Sequence, residues 1–120
     1  MKRDWDVIRE VLLEVESMEE GKRNSFGYGV VSQGDPTKSE HAFLLLDAGY
    51  LSARTSFLSD GKRGLLGPNL TWEGHELLDT LRSKPVWEKI KATAKDKGVE
   101  LTIDAVKALG KMALESVMGG

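Results

Sequence analysis

The chain reads as an α+β protein, mainly α, and three observations carry that reading. Trp5, Ile8, Leu12, Val15 and Met18, with Val11 beside them, recur at three- and four-residue steps, the period of an amphipathic helix. The stretch Ser39 to Leu51, SEHAFLLLDAGYL, reads as a helix that ends on Gly49 and turns directly into a strand. Leu70 to Leu81, LTWEGHELLDTL, reads as a strand that runs through a Thr cap into another helix. Between them lie two β-like runs, Leu51–Leu58 and Leu65–Thr71, joined by the polar loop Ser59-Asp60-Gly61-Lys62-Arg63-Gly64. Helix, strand, basic loop, strand, helix is the order of a winged-helix domain. The sequence therefore predicts a winged helix-turn-helix core with a small antiparallel wing and two additional C-terminal helices.

Each element has its own signal. The first helix spans about Arg3 to Glu19, and Gly21 ends it. Residues 21–34 contain Gly21, Gly27, Gly29 and Gly34 around a short FGYGVV run, which reads as a loop with a small strand, or as a degenerate second helix. Asp35-Pro36 is a helix start, with Asp as N-cap and Pro at the first helical position. The helix that follows buries Ala42, Leu45 and Leu46. In the first β run Leu51, Ala53, Thr55 and Phe57 share one side, the pattern of a half-buried strand. Thr71 caps a helix burying Leu77, Leu78 and Leu81. Ser83 begins another, with Pro85 in its first turn, Val86, Trp87, Ile90 and Ala94 facing inward, and Gly98 closing it. Thr102 caps a last helix with Ile103, Val106, Leu109, Ala113 and Val117 at helical spacing. These elements group as a core over residues 1–82 and a helical extension over 83–120.

A chain of 120 residues has room for one hydrophobic core, and 40% apolar with 30% charged residues marks an ordinary folded protein. It has no cysteine, so disulfides and thiolate zinc sites are excluded, which fits a reducing cytoplasm. No apolar run approaches the roughly 18 residues needed to span a bilayer, and the N-terminal MKRDWDVIRE lacks the apolar segment of a signal peptide. The expected location is cytoplasmic, with no membrane contact.

Net charge is −2, and its distribution is uneven. Residues 1–20 hold three basic and seven acidic groups, residues 21–71 six basic and four acidic, 72–82 one and three, and 83–120 seven and five. The helix–wing region is thus mildly basic, which allows a DNA-binding face without demanding one.

The opening MKRDWDVIREVLLEVE, the central HAFLLLDAGYL, the closing LTWEGHELLDTLR and the following VWEKIK resemble a small prophage-associated bacterial family of unknown function. The resemblance covers nearly the whole chain. It implies a winged-helix-like fold and a phage origin, and it supplies no catalytic or binding residue.

Several groups invite a sharper reading. Gly27-Tyr28-Gly29-Val30-Val31-Ser32 looks like a broken dinucleotide fingerprint, but lacks a third Gly and a strand–turn–helix context, so it reads as a Gly-rich turn. His41 and His75 stand 34 positions apart without a third ligand nearby, which favours surface or helix-packing roles over a metal site. No nucleophile elbow, paired-carboxylate motif or Ser/His/Asp pattern stands out. The expectation is a protein that is not an enzyme, with no cofactor, no metal and no small-molecule ligand. Trp5, Trp72 and Trp87 fall in or beside apolar helical stripes and are expected in the core.

The leading functional candidates lie on the helix that begins at Asp35. Lys38, Ser39 and His41 occupy its first turns, where a recognition helix faces base edges. Arg54 on the wing strand, with Lys62 and Arg63 at the wing tip, is placed for phosphate contact. The leading expectation is a DNA-binding or transcription-regulating protein acting on double-stranded DNA. The rival is a protein-interaction module on the same scaffold that does not bind DNA, supported by the acidic first helix with Glu10, Glu14, Glu16, Glu19 and Glu20. The apolar stripe of the last helix is buried either by folding back within the chain or by pairing in a homodimer of C-terminal helices.

Overall fold

The computed structural model describes residues 2–23, 27–28, 36–57 and 63–118, the side chains of residues 117 and 118 excepted. Asp35, the Gly29–Ser32 part of the Gly-rich run, the loop at 58–62 and the side chain of Val117 therefore lie outside the described residues. The architecture is α+β and mainly helical. Among the described residues, six helices and one small antiparallel sheet follow in the order α1 (Trp5–Ser17), α2 (Glu20–Arg23), β1 (Gly27–Tyr28), α3 (Pro36–Asp47), β2 (Leu51–Phe57), β3 (Arg63–Leu70), α4 (Trp72–Leu81), α5 (Lys84–Lys97) and α6 (Ile103–Met118). The chain divides into two compact units, Met1–His75 and Glu76–Gly120.

In the first unit α1 starts later than its periodicity suggests, because Asp4 caps it. The Asp4 carboxylate accepts from the backbone N–H of Asp6 and Val7 at 2.9 and 3.4 Å. Trp5, Ile8, Val11, Leu12 and Val15 form its buried face. The helix ends at Ser17, where Met18 turns extended and only its own N–H reaches back, to the Val15 carbonyl at 3.4 Å. Arg23, at the end of α2, supplies further donors. Its guanidinium donates to the carbonyls of Val15 at 2.9 Å and Met18 at 2.8 Å, and also to Pro68 of β3 at 2.9 Å. One buried cation thus caps α1 and ties it to the sheet.

The sheet order is β1-β3-β2, antiparallel throughout. The hairpin expected from the sequence forms, with Thr55 opposite Leu65 and Phe57 opposite Arg63. The register shifts by one residue between the Ser52–Asn69 and Arg54–Leu66 pairs, so Gly67 and Pro68 of β3 oppose Ala53 alone. This bulge explains a proline in a central strand. Gly67 takes φ +63°, and Pro68, which has no N–H, falls where the ladder is interrupted. Along β2 the expected half-buried alternation holds only at the base. Leu51 is buried and Ala53 half-buried, but Thr55 and Phe57 are exposed on the same side, because the strand runs on past the core.

The α3 helix closes as a Schellman turn. Tyr50 N–H reaches the Leu45 carbonyl at 2.8 Å and Gly49, at φ +88°, donates to Leu46 at 3.1 Å. Thr71 then joins two elements: its hydroxyl donates to the Gly49 carbonyl at 2.6 Å and accepts from Gly74 N–H at 3.1 Å, capping α4. Position 74 has to be glycine, because a Cβ there would overlap the Tyr50 carbonyl oxygen.

In the second unit Ser83 caps α5 with Pro85 behind it, and Gly98 closes the helix at φ +65°. Thr102 caps α6 by accepting from Ala105 N–H at 3.1 Å. Val86, Trp87, Ile90 and Ala94 of α5 and Val106, Leu109 and Ala113 of α6 are buried as their spacing predicts, and α5 packs on α6. The α6 helix also meets the last turns of α4 closely: a Cβ on Gly110 would stand 2.5 Å from Thr80 Cγ2. Of the stripe on α6, Val106, Leu109 and Ala113 are thus buried and Ile103 half-buried.

Candidate macromolecule-binding face

The residues singled out on α3 have different surroundings. His41 is 1% exposed. Its Nε2 accepts from the backbone N–H of Asp4 at 2.8 Å, and its Nδ1 lies 2.7 Å from the Thr37 carbonyl. A backbone N–H can only donate, so Nε2 carries the lone pair and Nδ1 the proton. The imidazole is a neutral bridge from α3 to the cap of α1, the helix-packing role, and offers nothing to a groove. Lys38 is half-buried, with Nζ 3.3 Å from Glu14 Oε2 on α1. The other oxygen of the same carboxylate accepts from the buried Tyr28 hydroxyl at 2.6 Å. Burial first, and then the bond to Glu14, push the Tyr28 hydroxyl above the ordinary tyrosine range. Glu14 thereby joins α1, β1 and α3. Ser39 is half-buried.

On the hairpin, Arg54 is exposed and Lys62 lies outside the described residues. Arg63 is turned back onto α3. Its guanidinium forms two bonds to the Asp47 carboxylate, at 3.1 and 3.3 Å, and stacks 4.8 Å from the centre of the Phe43 ring. The bond to Arg63 holds the Asp47 carboxyl below the usual carboxylate range and raises the guanidinium in turn. The structure thus joins Arg63 to α3 and does not gather Lys38, His41 and Arg63 into one basic face.

What α3 turns outward is different in character. Thr37, Glu40, Leu44 and Asp47, at three- and four-residue steps, form its exposed side, with Leu44 39% exposed. Phe57, directly opposite Arg63 across the hairpin, shares a sheet face with it and is 81% exposed. Neither Leu44 nor Phe57 stood out in the sequence. The available signal was that Phe57 sits at the far end of its strand, beside a polar loop. Trp72, expected in the core, is 76% exposed. It heads α4 about half a turn of the wheel away from the buried Gly74, Leu77, Leu78 and Leu81. Trp5 and Trp87 are buried as expected.

Residues 2–100 match the family described as "Hypothetical protein (DUF2513)". The chain belongs to the DUF2513 family. It is also 36% identical over 118 residues to a protein of Haemophilus influenzae described as uncharacterized, a match covering 98% of this chain and 99% of that protein. No solved structure matches. Among the described residues of this DUF2513 chain, no group of three or more His, Cys, Asp or Glu side chains is arranged to hold a metal ion, and no helix is long and apolar enough to cross a membrane.

Proposed function

We propose that the first unit is a winged-helix-type recognition module of phage or prophage origin, and that α3 and the β2–β3 hairpin engage a protein rather than DNA. The winged-helix assignment draws support from the helix followed by an antiparallel hairpin, and from β1 joining the far side of β3. The phage origin rests on the sequence resemblance, and a cytoplasmic location on the absence of cysteine. The observation that carries the choice of partner is the commitment of the basic side chains. Lys38 is held by Glu14 and Arg63 by Asp47, while the outward side of α3 shows Glu40 and Leu44 besides that pair. A polyanion meeting that surface would face the Glu40 carboxylate, whereas a protein would find an apolar anchor beside a polar rim. The module is non-catalytic and takes no cofactor.

DNA regulation remains the rival reading, supported by exposed Arg54 on the hairpin. Fluorescence anisotropy with duplex fragments at low salt separates the two. The expected result is binding no tighter than the roughly 10⁻⁴–10⁻⁶ M of non-specific contacts. Tight binding whose logarithm falls by about 0.9 per phosphate contact with log salt, and which is weakened by Lys62→Ala with Arg63→Ala, would establish the DNA reading instead. For the protein reading, a photoreactive residue at Leu44 should give a discrete adduct in host cells that Glu40→Lys abolishes.

A further inference from the structure

We infer that the outer edge of β2 is an interface between two copies of this chain, joined as antiparallel strands about a two-fold axis at Thr55. Among the described residues the seven-residue β2 lies at the edge of the order β1-β3-β2, with β3 on one side only. From Arg54 to Phe57 its side chains are exposed on both faces, so among the described residues no layer covers this part of the strand. Edge strands are usually guarded by proline, by several charges or by a bulge. β2 carries no proline and one charge, and the bulge of this hairpin sits in β3. β2 itself keeps the regular two-residue alternation that strand pairing requires.

The occupant follows from complementarity. A two-fold antiparallel pair sets one residue opposite its own copy. An axis at Arg54 would set guanidinium against guanidinium, which is unfavourable. An axis at Thr55 sets two β-branched side chains together, places Arg54 beside Ser56 of the second copy, and lays the exposed Phe57 ring over the small Ala53 of that copy. The pairs from Ala53 to Phe57 in this register all belong to β2, and Phe57, the most exposed aromatic side chain among the described residues, gains cover. The joined sheet runs β1-β3-β2-β2-β3-β1. So short a seam falls below the roughly 1,200 Å² of stable complexes, so the dimer assembles at high micromolar concentration.

The chain has no cysteine, so one introduced thiol reports on the seam without interference. In the full-length protein at 300 μM (a set concentration of about 0.3 mM, where weak interfaces fill), Thr55→Cys should form an intermolecular disulfide at least about tenfold faster than Ser52→Cys, because only the residue on the axis brings its Cα within disulfide reach of its copy. Ser52 and its copy would stand roughly 20 Å apart along the strands. Sedimentation velocity should show a concentration-dependent dimer that Phe57→Asp abolishes while the circular dichroism spectrum is retained. Equal oxidation rates for the two cysteine variants, or a monomer throughout that concentration range, would overturn the inference and leave the edge to a partner of another kind.

Discussion

Arg23 is the side chain on which the first unit depends most visibly, and its replacement gives a quantitative test of the fold. Its guanidinium donates three hydrogen bonds, to Val15, Met18 and Pro68, and its Nε lies 3.5 Å from the Glu20 carboxylate without a hydrogen bond. A bond from a charged donor contributes about 1.5–3 kcal/mol, so three give about 5–9 kcal/mol gross. Burying the cation costs several kcal/mol of that, and each buried carbonyl left without a donor costs about 1–3 kcal/mol, which puts the net loss at about 3–5 kcal/mol. Arg23→Ala should lose about that much, a large share of the roughly 5–15 kcal/mol that holds a domain folded. Arg23→Lys keeps the charge, but an ammonium cannot span carbonyls from α1 and β3 together, so it should recover less than half. Arg23→Met fills most of the volume and bonds to nothing. Urea unfolding of all three, followed by circular dichroism, separates packing from bonding. If Arg23→Met stayed within about 1 kcal/mol of the parent, the three carbonyls would not need the guanidinium, and the account of how α1 is capped would fail.

Three further outcomes follow from the same geometry. The Tyr28 hydroxyl is held above its ordinary range, so the unfolded chain ionises first: stability from this group is complete below about pH 10 and is lost as pH rises beyond it. Alkaline titration should therefore show a loss above that point that Tyr28→Phe removes. Gly110→Ala should destabilise the second unit by about 1–3 kcal/mol through overpacking against Thr80, and Thr80→Ser, which deletes the clashing methyl, should restore most of it in thermal melts of the double variant. His41→Phe should cost about 1–3 kcal/mol through loss of the Asp4 and Thr37 bonds, with faster amide exchange at the start of α1; unchanged exchange there would contradict the bridging role.

The helices were legible because their signals are local. The caps at Thr71, Ser83 and Thr102, and the closures at Gly49 and Gly98, each act within one turn, and all five fall where the sequence puts them. The hairpin was legible for a similar reason, since two β runs around a polar loop have few ways to pair. What escaped depends on distance along the chain. Arg23 stands in a polar, Gly-rich stretch, and its burial is fixed by a carbonyl 45 positions away. The reach of β2 beyond the core, which leaves Phe57 in solvent, depends on where the helices of the first unit stop, and no alternation pattern encodes that. Trp72 was misplaced for a simpler reason: proximity to an apolar stripe was taken as membership in it, although its wheel position points the opposite way.

The charge count over residues 21–71 shows how a sum along the chain differs from the charges that meet in the fold. It treats sequence neighbours as spatial neighbours, yet the carboxylates that answer these cations come largely from elsewhere. Lys22 lies 3.7 Å from Glu19, Arg23 meets Glu20 and three carbonyls, and Lys38 meets Glu14, all on or just after α1. Arg63 finds Asp47 within the segment. Four of the six cations of the segment thus face carboxylates, two through local pairs just after α1, one across the packing of α1 on α3 and one between β3 and α3. Exposed pairs of this kind contribute little to stability, but they decide what the surface can attract. On the outward side of α3 the exposed Leu44 stands beside the Glu40 carboxylate, so an apolar surface covering Leu44 would leave Glu40 at a solvated rim, whereas a row of phosphates would meet like charge.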